Sequence, residues 1–302
     1  MKLIKFNKGS KTTSIVLALG NFDGVHVGHQ ALIKEAVKYA KKNGLPCYAM
    51  TFDPHPQEII CPVRGLTLLT TMDEKLQLMK ELGVDGVIVK EFSAKTASLM
   101  PEQFIREFLV DHLSVKKVFV GFDFAFGRQR SGKVADLVAL GKKYDFSVTA
   151  VAPVRYQDHL VKSSTIRDML TRGDFSKAIK LLGHPFTITG KVVKGMGRGR
   201  SLGFPTANLK VSRDKLIPAF GVYAARYGKY KCAVNIGSRP TFSEERFAVE
   251  AYVIGFSGDL LGKTIKVDLY KRLRDEIHFS DVEKLIAQIK KDVKSIKAAK
   301  LP

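Results

Sequence analysis

The chain has 302 residues, 45% of them apolar, which excludes a disordered protein and is enough for one large core or two ordinary ones, with the length favouring two domains. Fifty Lys and Arg against 29 Asp and Glu give a net charge of +21, a field that draws polyanions, yet the lysines are spread over nearly every segment without interleaved aromatic residues, so no specific nucleic-acid partner is expected. The apolar runs are too short to span a bilayer and the opening residues lack a continuous apolar region, so no membrane is expected and the place of work is the cytoplasm; the separated Cys47, Cys61 and Cys232 form neither a disulfide framework nor a thiolate metal site.

The first 184 residues alternate short β-rich runs with helical patterns, the texture of an α/β fold with a parallel sheet. Strands are expected at 15–19 (IVLAL), 47–52 (CYAMTF), 86–90 (GVIVK), 117–121 (KVFVG) and 146–152 (FSVTAVA). Between them, 28–42 places Leu32, Ala36, Val37 and Ala40 on one face and stops at Asn43-Gly44, a favourable left-handed cap. Thr71 to Glu74 reads as a capping box for a helix ended by Gly83, and Pro101 fits the first turn of a helix over 101–112. Short helices follow at 164–171 and 174–182. The texture changes at Gly183-His184-Pro185, which sets the expected domains at 1–184 and 185–302. Beyond it, FTITGKVV, GVYAARY, KCAVNIG, FAVEAYVIGF and TIKVDLY succeed one another without long helices, as in an antiparallel β-barrel or sandwich. A last helix over 281–297 carries Leu285, Ile286, Ile289, Val293 and Ile296 on one face.

The sharpest local signal is GNFDGVHVGH at 20–29, between the first strand and the first helix. A ligand of an open parallel sheet sits at the carboxyl ends of its strands, where a helix N-terminus offers unpaired N–H groups to a phosphate. Gly20, Gly24 and Gly28 are expected to let the backbone approach closely, and His26 and His29 can donate hydrogen bonds to phosphate oxygens whose charge grows in a transition state. The His pair lacks the third ligand and base of an HExxH metal site. A near-Walker sequence, GRQRSGKV at 127–134, ends in Val134, which has no hydroxyl for a metal.

The 20–29 stretch resembles the His-x-Gly-His nucleotidylyltransferases, and within them the bacterial bifunctional riboflavin kinase/FAD synthetases. FDPHP at 52–56 and GFDFAFG at 121–127 are similar to that family's flavin-side motifs, and VKSSTIR at 161–167 to the helix start that holds ATP phosphates. Lys162, Ser164 and Lys133 depart from its usual residues. The resemblance implies a Rossmann-like FMN adenylyltransferase domain. Its ATP-binding residues would be Gly20, Asn21, Phe22, Asp23, Gly24, Gly28, Ser163 and Ser164, its flavin-binding residues Phe52, Pro54, His55, Asp123 and Phe126, and its donors in adenylyl transfer His26, His29 and Arg167.

In the second half, GMGRGRSLGFPTAN at 195–208 joins a glycine-rich loop to a Pro-Thr-x-Asn tetrad. The glycines alone are weak evidence, since they open no helix; the tetrad is similar to the riboflavin kinase signature. PAFGVY at 218–223, NIGSRPTF at 235–242, VEAY at 249–252 and LRDEIHF at 273–279 match the same family, with Gly255 a departure. The resemblance implies ATP binding by Gly195, Gly197, Arg200, Gly203 and Pro205, with Mg²⁺ held by the oxygens of Thr206 and Asn208, ligands suited to a hard cation. Glu250, a carboxylate between apolar neighbours, would be the general base, and Arg274 and Phe279 would lie on a loop over the flavin. Riboflavin, FMN, FAD and ATP are the implied partners. The rival readings are a single-function adenylyltransferase with an accessory barrel and a basic nucleic-acid-binding protein.

Overall fold

A computed structural model describes residues 2–5, 14–62, 65–157, 159–195, 197–238 and 247–302. Positions 239–242 of the NIGSRPTF stretch, and Met196 in the glycine-rich loop, lie outside the described residues. The chain divides into two compact units, Met1–Ser163 and Ser164–Pro302.

The first unit is built on six parallel strands, β1 (Lys2–Lys5), β2 (Ile15–Leu19), β3 (Cys47–Asp53), β4 (Gly86–Glu91), β5 (Val115–Gly121) and β6 (Ser147–Val151), in the order β1-β4-β3-β2-β5-β6. Every residue of IVLAL is buried because helices cover both faces. Ile15, Leu17 and Leu19 point into a core shared with Phe104, Phe108 and Leu137; Val16 and Ala18 point the other way, onto Leu32, Ile33, Ala36 and Met79. These partners lie on α1 (Val27–Lys42), α3 (Met72–Glu81), α4 (Pro101–Ile105), which runs into a π-helical turn over Arg106–Val110, and α5 (Val134–Lys143); α2 (Pro56–Ile60) is a short helix after β3. Thr71 caps α3 through the expected reciprocal box. The strand β1 is not anticipated by the sequence. The chain order runs outward from β2 to β3 and β4, then returns to β5 on the other side of β2. The carboxyl end of β2 is therefore the switch point at which ligands of such sheets bind.

The second unit opens with α6 (Ser163–Arg172, its first residue belonging to the first unit) and α7 (Phe175–Leu182), which Gly183 ends at φ 74°. A closed antiparallel barrel follows: β7 (Phe186–Val193), β8 (Ala207–Val211), β9 (Gly221–Tyr227), β10 (Tyr230–Ser238), β11 (Phe247–Val253) and β12 (Thr264–Arg274), in the order β7-β8-β11-β10-β9-β12 with β12 paired back to β7. Alternation builds its interior, with Ile188, Val234, Ile236, Val249, Ala251, Val267 and Leu269 buried. Phe175 of α7 meets Tyr223 edge-on at 5.0 Å, and α8 (Val282–Ala298) packs on β9 and β10.

Candidate active sites

His26 is the N-cap of α1, and its Nδ1 accepts the His29 N–H at 3.3 Å. The two imidazoles stack with centroids 3.6 Å apart, and His29 meets the Phe22 ring edge-on at 5.4 Å. The His29 Nδ1 is buried without a hydrogen-bond partner among the described residues. Burial first, then the charges of His26 and Lys75, hold the His29 pKa well below 6.5, so this ring is a neutral imidazole, with one N–H to donate, at physiological pH.

The three glycines serve different ends. Gly24 takes a left-handed φ of 80°, whereas a Cβ at Gly20 would press on the Phe22 ring at 3.2 Å and one at Gly28 on the His26 ring at 3.2 Å. Gly20 and Gly28 thus make room for the side chains of the motif itself. Phe22 (φ 51°) and Val25 (φ 38°) also adopt left-handed backbone, uncommon for non-glycine residues and frequent at functional sites.

Hydrogen bonds hold this loop from below. The Asp23 carboxylate, 2% exposed, accepts from the N–H groups of Leu69 and Thr70, and the Thr70 hydroxyl accepts from the Gly24 N–H at 3.0 Å. The Asn21 carbonyl accepts from the Thr51 hydroxyl and the Lys75 ammonium, each at 2.9 Å. The Ser163 hydroxyl donates to the Asp23 carbonyl at 2.9 Å, tying the start of α6 to the loop. Ser164 is exposed, and Arg167 follows Ser163 by one turn on the same helix.

The flavin-side candidates divide. Phe52 and Phe126 are buried in the aromatic core, Phe52 edge-on to Phe92 at 5.6 Å and Phe126 stacked on Phe124 at 5.6 Å. Pro54 follows a cis peptide, and His55, also buried, caps α2 with its Nδ1. Asp123 remains at the surface, where Lys162 Nζ lies 3.2 Å from its carboxylate and 5.9 Å from the centroid of the exposed Phe122 ring. The departure at position 162 therefore sets a cation beside Asp123.

In the barrel, Gly195, Gly197, Arg200, Pro205, Thr206 and Asn208 all line one cavity of about 620 Å³, walled by Val253, Phe256, Asp259 and Leu260, a volume suited to a nucleotide-sized ligand. A Cβ on Gly195 would run into the Asn208 amide, and one on Gly199 would come within 3.1 Å of the Thr206 hydroxyl. The loop is glycine where these two oxygen-bearing side chains need space. Their side-chain oxygens are hard donors of the kind Mg²⁺ takes. Gly203, at φ 85°, is outside the lining.

Glu250 is directly opposite Asn208 on β8 and Asn235 on β10. Its neighbours Val249 and Ala251 are buried while Glu250 is half-buried. Strand alternation thus puts the carboxylate on the outer face of the barrel rather than among apolar groups, in a row with the two asparagines. Arg274 Nη2 lies 2.7 Å from Asp292 of α8, its Nε donates to the same carboxylate, and the Gln288 amide donates to Asp292 at 2.8 Å. Phe279 is half-buried in the segment before α8. Lys75 and Asp292 are the residues that motif reading misses. Each was marked by a charge on an apolar helix face, Lys75 four residues before Met79 and Asp292 four before Ile296.

Residues 8–165 match the family described as FAD synthetase, and residues 182–300 the family described as riboflavin kinase. The chain is 38% identical over 289 residues, 94% of its length and 91% of the relative's, to a bifunctional riboflavin kinase/FMN adenylyltransferase of Listeria monocytogenes. It is 38% identical over 282 residues, covering 92% and 90% of the two chains, to the protein of the same name from Escherichia coli. Among solved structures it is similar, with TM-score 0.88 and 31% identity over 99% of both chains, to a protein named a macrolide-efflux protein from Streptococcus pneumoniae. No helix among the described residues is long and apolar enough to cross a membrane.

Proposed function

Because this chain belongs to the family of bifunctional riboflavin kinase/FMN adenylyltransferases, and so makes FMN from riboflavin and FAD from FMN, we propose that the two steps run at separate sites, with functional domains 1–184 and 185–302. The observation that carries this is the pair of constellations already described: a histidine-capped loop at the switch point of a parallel sheet, and a glycine-walled cavity beside a row of Asn208, Glu250 and Asn235.

At the first site, a phosphate oxygen of FMN attacks the α-phosphorus of ATP in line, and the bond to the leaving pyrophosphate breaks. No protein nucleophile is needed, so the residues position the reactants and stabilise charge. His29 donates as a neutral imidazole, His26 caps the helix whose N-terminus faces the phosphates, and Arg167 supplies a permanent cation. Gly20 to Gly24, Gly28, Ser163 and Ser164 surround the triphosphate. Pro54, His55 and Asp123 lie on the flavin side, shaped from behind by Phe52 and Phe126.

At the second site, Glu250 takes the proton of the terminal ribityl hydroxyl as its oxygen attacks the γ-phosphorus and ADP leaves. Gly195, Gly197, Arg200, Gly203 and Pro205 form the ATP side, and Phe279 the flavin side, with Arg274 shaping that side through Asp292. Thr206 and Asn208 would hold Mg²⁺, which when bound supplies charge neutralisation at the phosphates. The proposed place of work is the cytoplasm.

A crossed pair of variants tests the assignment. His29→Ala should lower FAD formation from FMN on the order of 1000-fold while FMN formation continues. Glu250→Gln should lower FMN formation by roughly 100-fold or more while FMN is still converted to FAD. Near-normal adenylylation by the first variant, or a joint loss of both activities in either, would refute the two-site reading.

A further inference from the structure

Beneath the Gly20–Gly24 loop lies a cation for which the proposed reaction has not yet found a use. Lys75 stands in the first turn of α3 and is 3% exposed. Desolvating an ammonium is expensive, so such a group persists only where its surroundings hold it. Its Nζ donates to the Asn21 carbonyl at 2.9 Å and to the Thr51 hydroxyl oxygen at 3.4 Å, and that hydroxyl donates to the same carbonyl at 2.9 Å.

The carbonyl of Asn21 is thereby turned inward. A planar trans peptide then points the Phe22 N–H the opposite way. Left-handed φ angles at Phe22 and Val25 endure only where neighbouring contacts over-determine them, and the Lys75–Thr51 clasp on Asn21 is one such contact. Three carboxylates, Asp23, Asp53 and Glu58, face Lys75 and favour its charged form against the burial that lowers its pKa. On the other side, Lys75 and His26 are the charged or titratable groups that act on His29.

We propose that Lys75 is a positioning residue for adenylyl transfer: its ammonium pins the Asn21–Phe22 peptide so that the Phe22 N–H is presented to the triphosphate, over a buried positive charge. This rests on the adenylyl-transfer reading of the loop. It has a second consequence, because the same charge disfavours protonation of His29.

Lys75→Met keeps the volume and removes the charge and the donor. In that variant kcat for FAD formation from FMN should fall on the order of 100-fold, the scale of a small misplacement at a reacting centre, while riboflavin phosphorylation by the same sample is unchanged. The limb of its kcat–pH profile that reports His29 should move to higher pH, since His29 loses a positive neighbour and protonates more readily. A lysine that only filled space would leave both kcat and that limb in place. Near-ultraviolet circular dichroism and thermal unfolding report whether the variant folds. Folded Lys75→Met with adenylylation within about threefold of the parent, or with an unmoved limb, overturns the proposal.

If Lys75→Met unfolds, Lys75→Arg takes its place. Retained adenylylation with an unmoved limb supports the proposal, and a folded Lys75→Arg with a displaced limb overturns it. His29→Ala, assayed in parallel, separates two failures. If it adenylylates normally, the proposal falls because the site reading has fallen; if it does not, the outcome at position 75 speaks for Lys75 alone.

Discussion

His29 shows how far a single residue's chemistry departs from its free form. Burial, the neighbouring His26 and the Lys75 charge all disfavour its imidazolium, and its Nδ1 has no partner among the described residues. Because its pKa lies below 6.5, protonation begins only at more acidic pH, and the neutral donor is present at and above that value. FAD formation should therefore show no change of rate that belongs to His29 as pH falls from about 8 through 6.5, because its protonation, which adds a second N–H, comes only at more acidic pH. Such a change centred at or above 6.5 would show an ordinary, solvent-exposed histidine. The motif itself is legible in the sequence, but the directions of its side chains are not. Phe52 and Phe126 fall in flavin-type motifs yet enter the core, and Gly20 and Gly28 yield space to the rings of Phe22 and His26. Spacing along the chain names residue types, whereas side-chain direction in a loop depends on φ and ψ at each step.

At the scale of elements, the strands that can be read from the sequence are those buried on both faces. IVLAL and GVIVK are continuous apolar runs of the right length, bounded by helical patterns, and the structure forms strands there. KLIK, by contrast, carries only two apolar residues, and its pairing with Gly86–Val89 depends on a partner more than eighty residues away. The last helix follows its expected face, with one substitution in kind: Asp292 occupies a buried position and grips Arg274 of β12, the two side chains 10% and 20% exposed. Removing one member of a buried pair leaves the other charge without compensation. Asp292→Ala should accordingly destabilise the barrel unit by about 3 kcal/mol, seen as a lower Tm for that unit, with FAD formation from FMN retained. An unchanged Tm would mean that the Arg274–Asp292 contact contributes nothing to holding α8 on the barrel.

At the scale of the whole chain, two unrelated architectures answer the same chemical need by different means. The parallel sheet offers a helix N-terminus and stacked imidazoles, and the barrel offers a cavity with hard oxygen donors and a carboxylate nearby. Both operate within a chain of net charge +21, a field favourable to encounter with nucleoside triphosphates and flavin phosphates. Fold class and the change of texture after residue 183 are open to a reader of the sequence because hydrophobic period and turn residues are local properties. Buried charges such as Lys75 are harder to read, since their partners come from distant segments. The most direct measurement is a time course of the purified protein with riboflavin, ATP and Mg²⁺, its flavins separated by chromatography. FMN should rise first and then give way to FAD, and added FMN should yield FAD with release of pyrophosphate; a product mixture holding FMN but never FAD, or neither, would contradict the account.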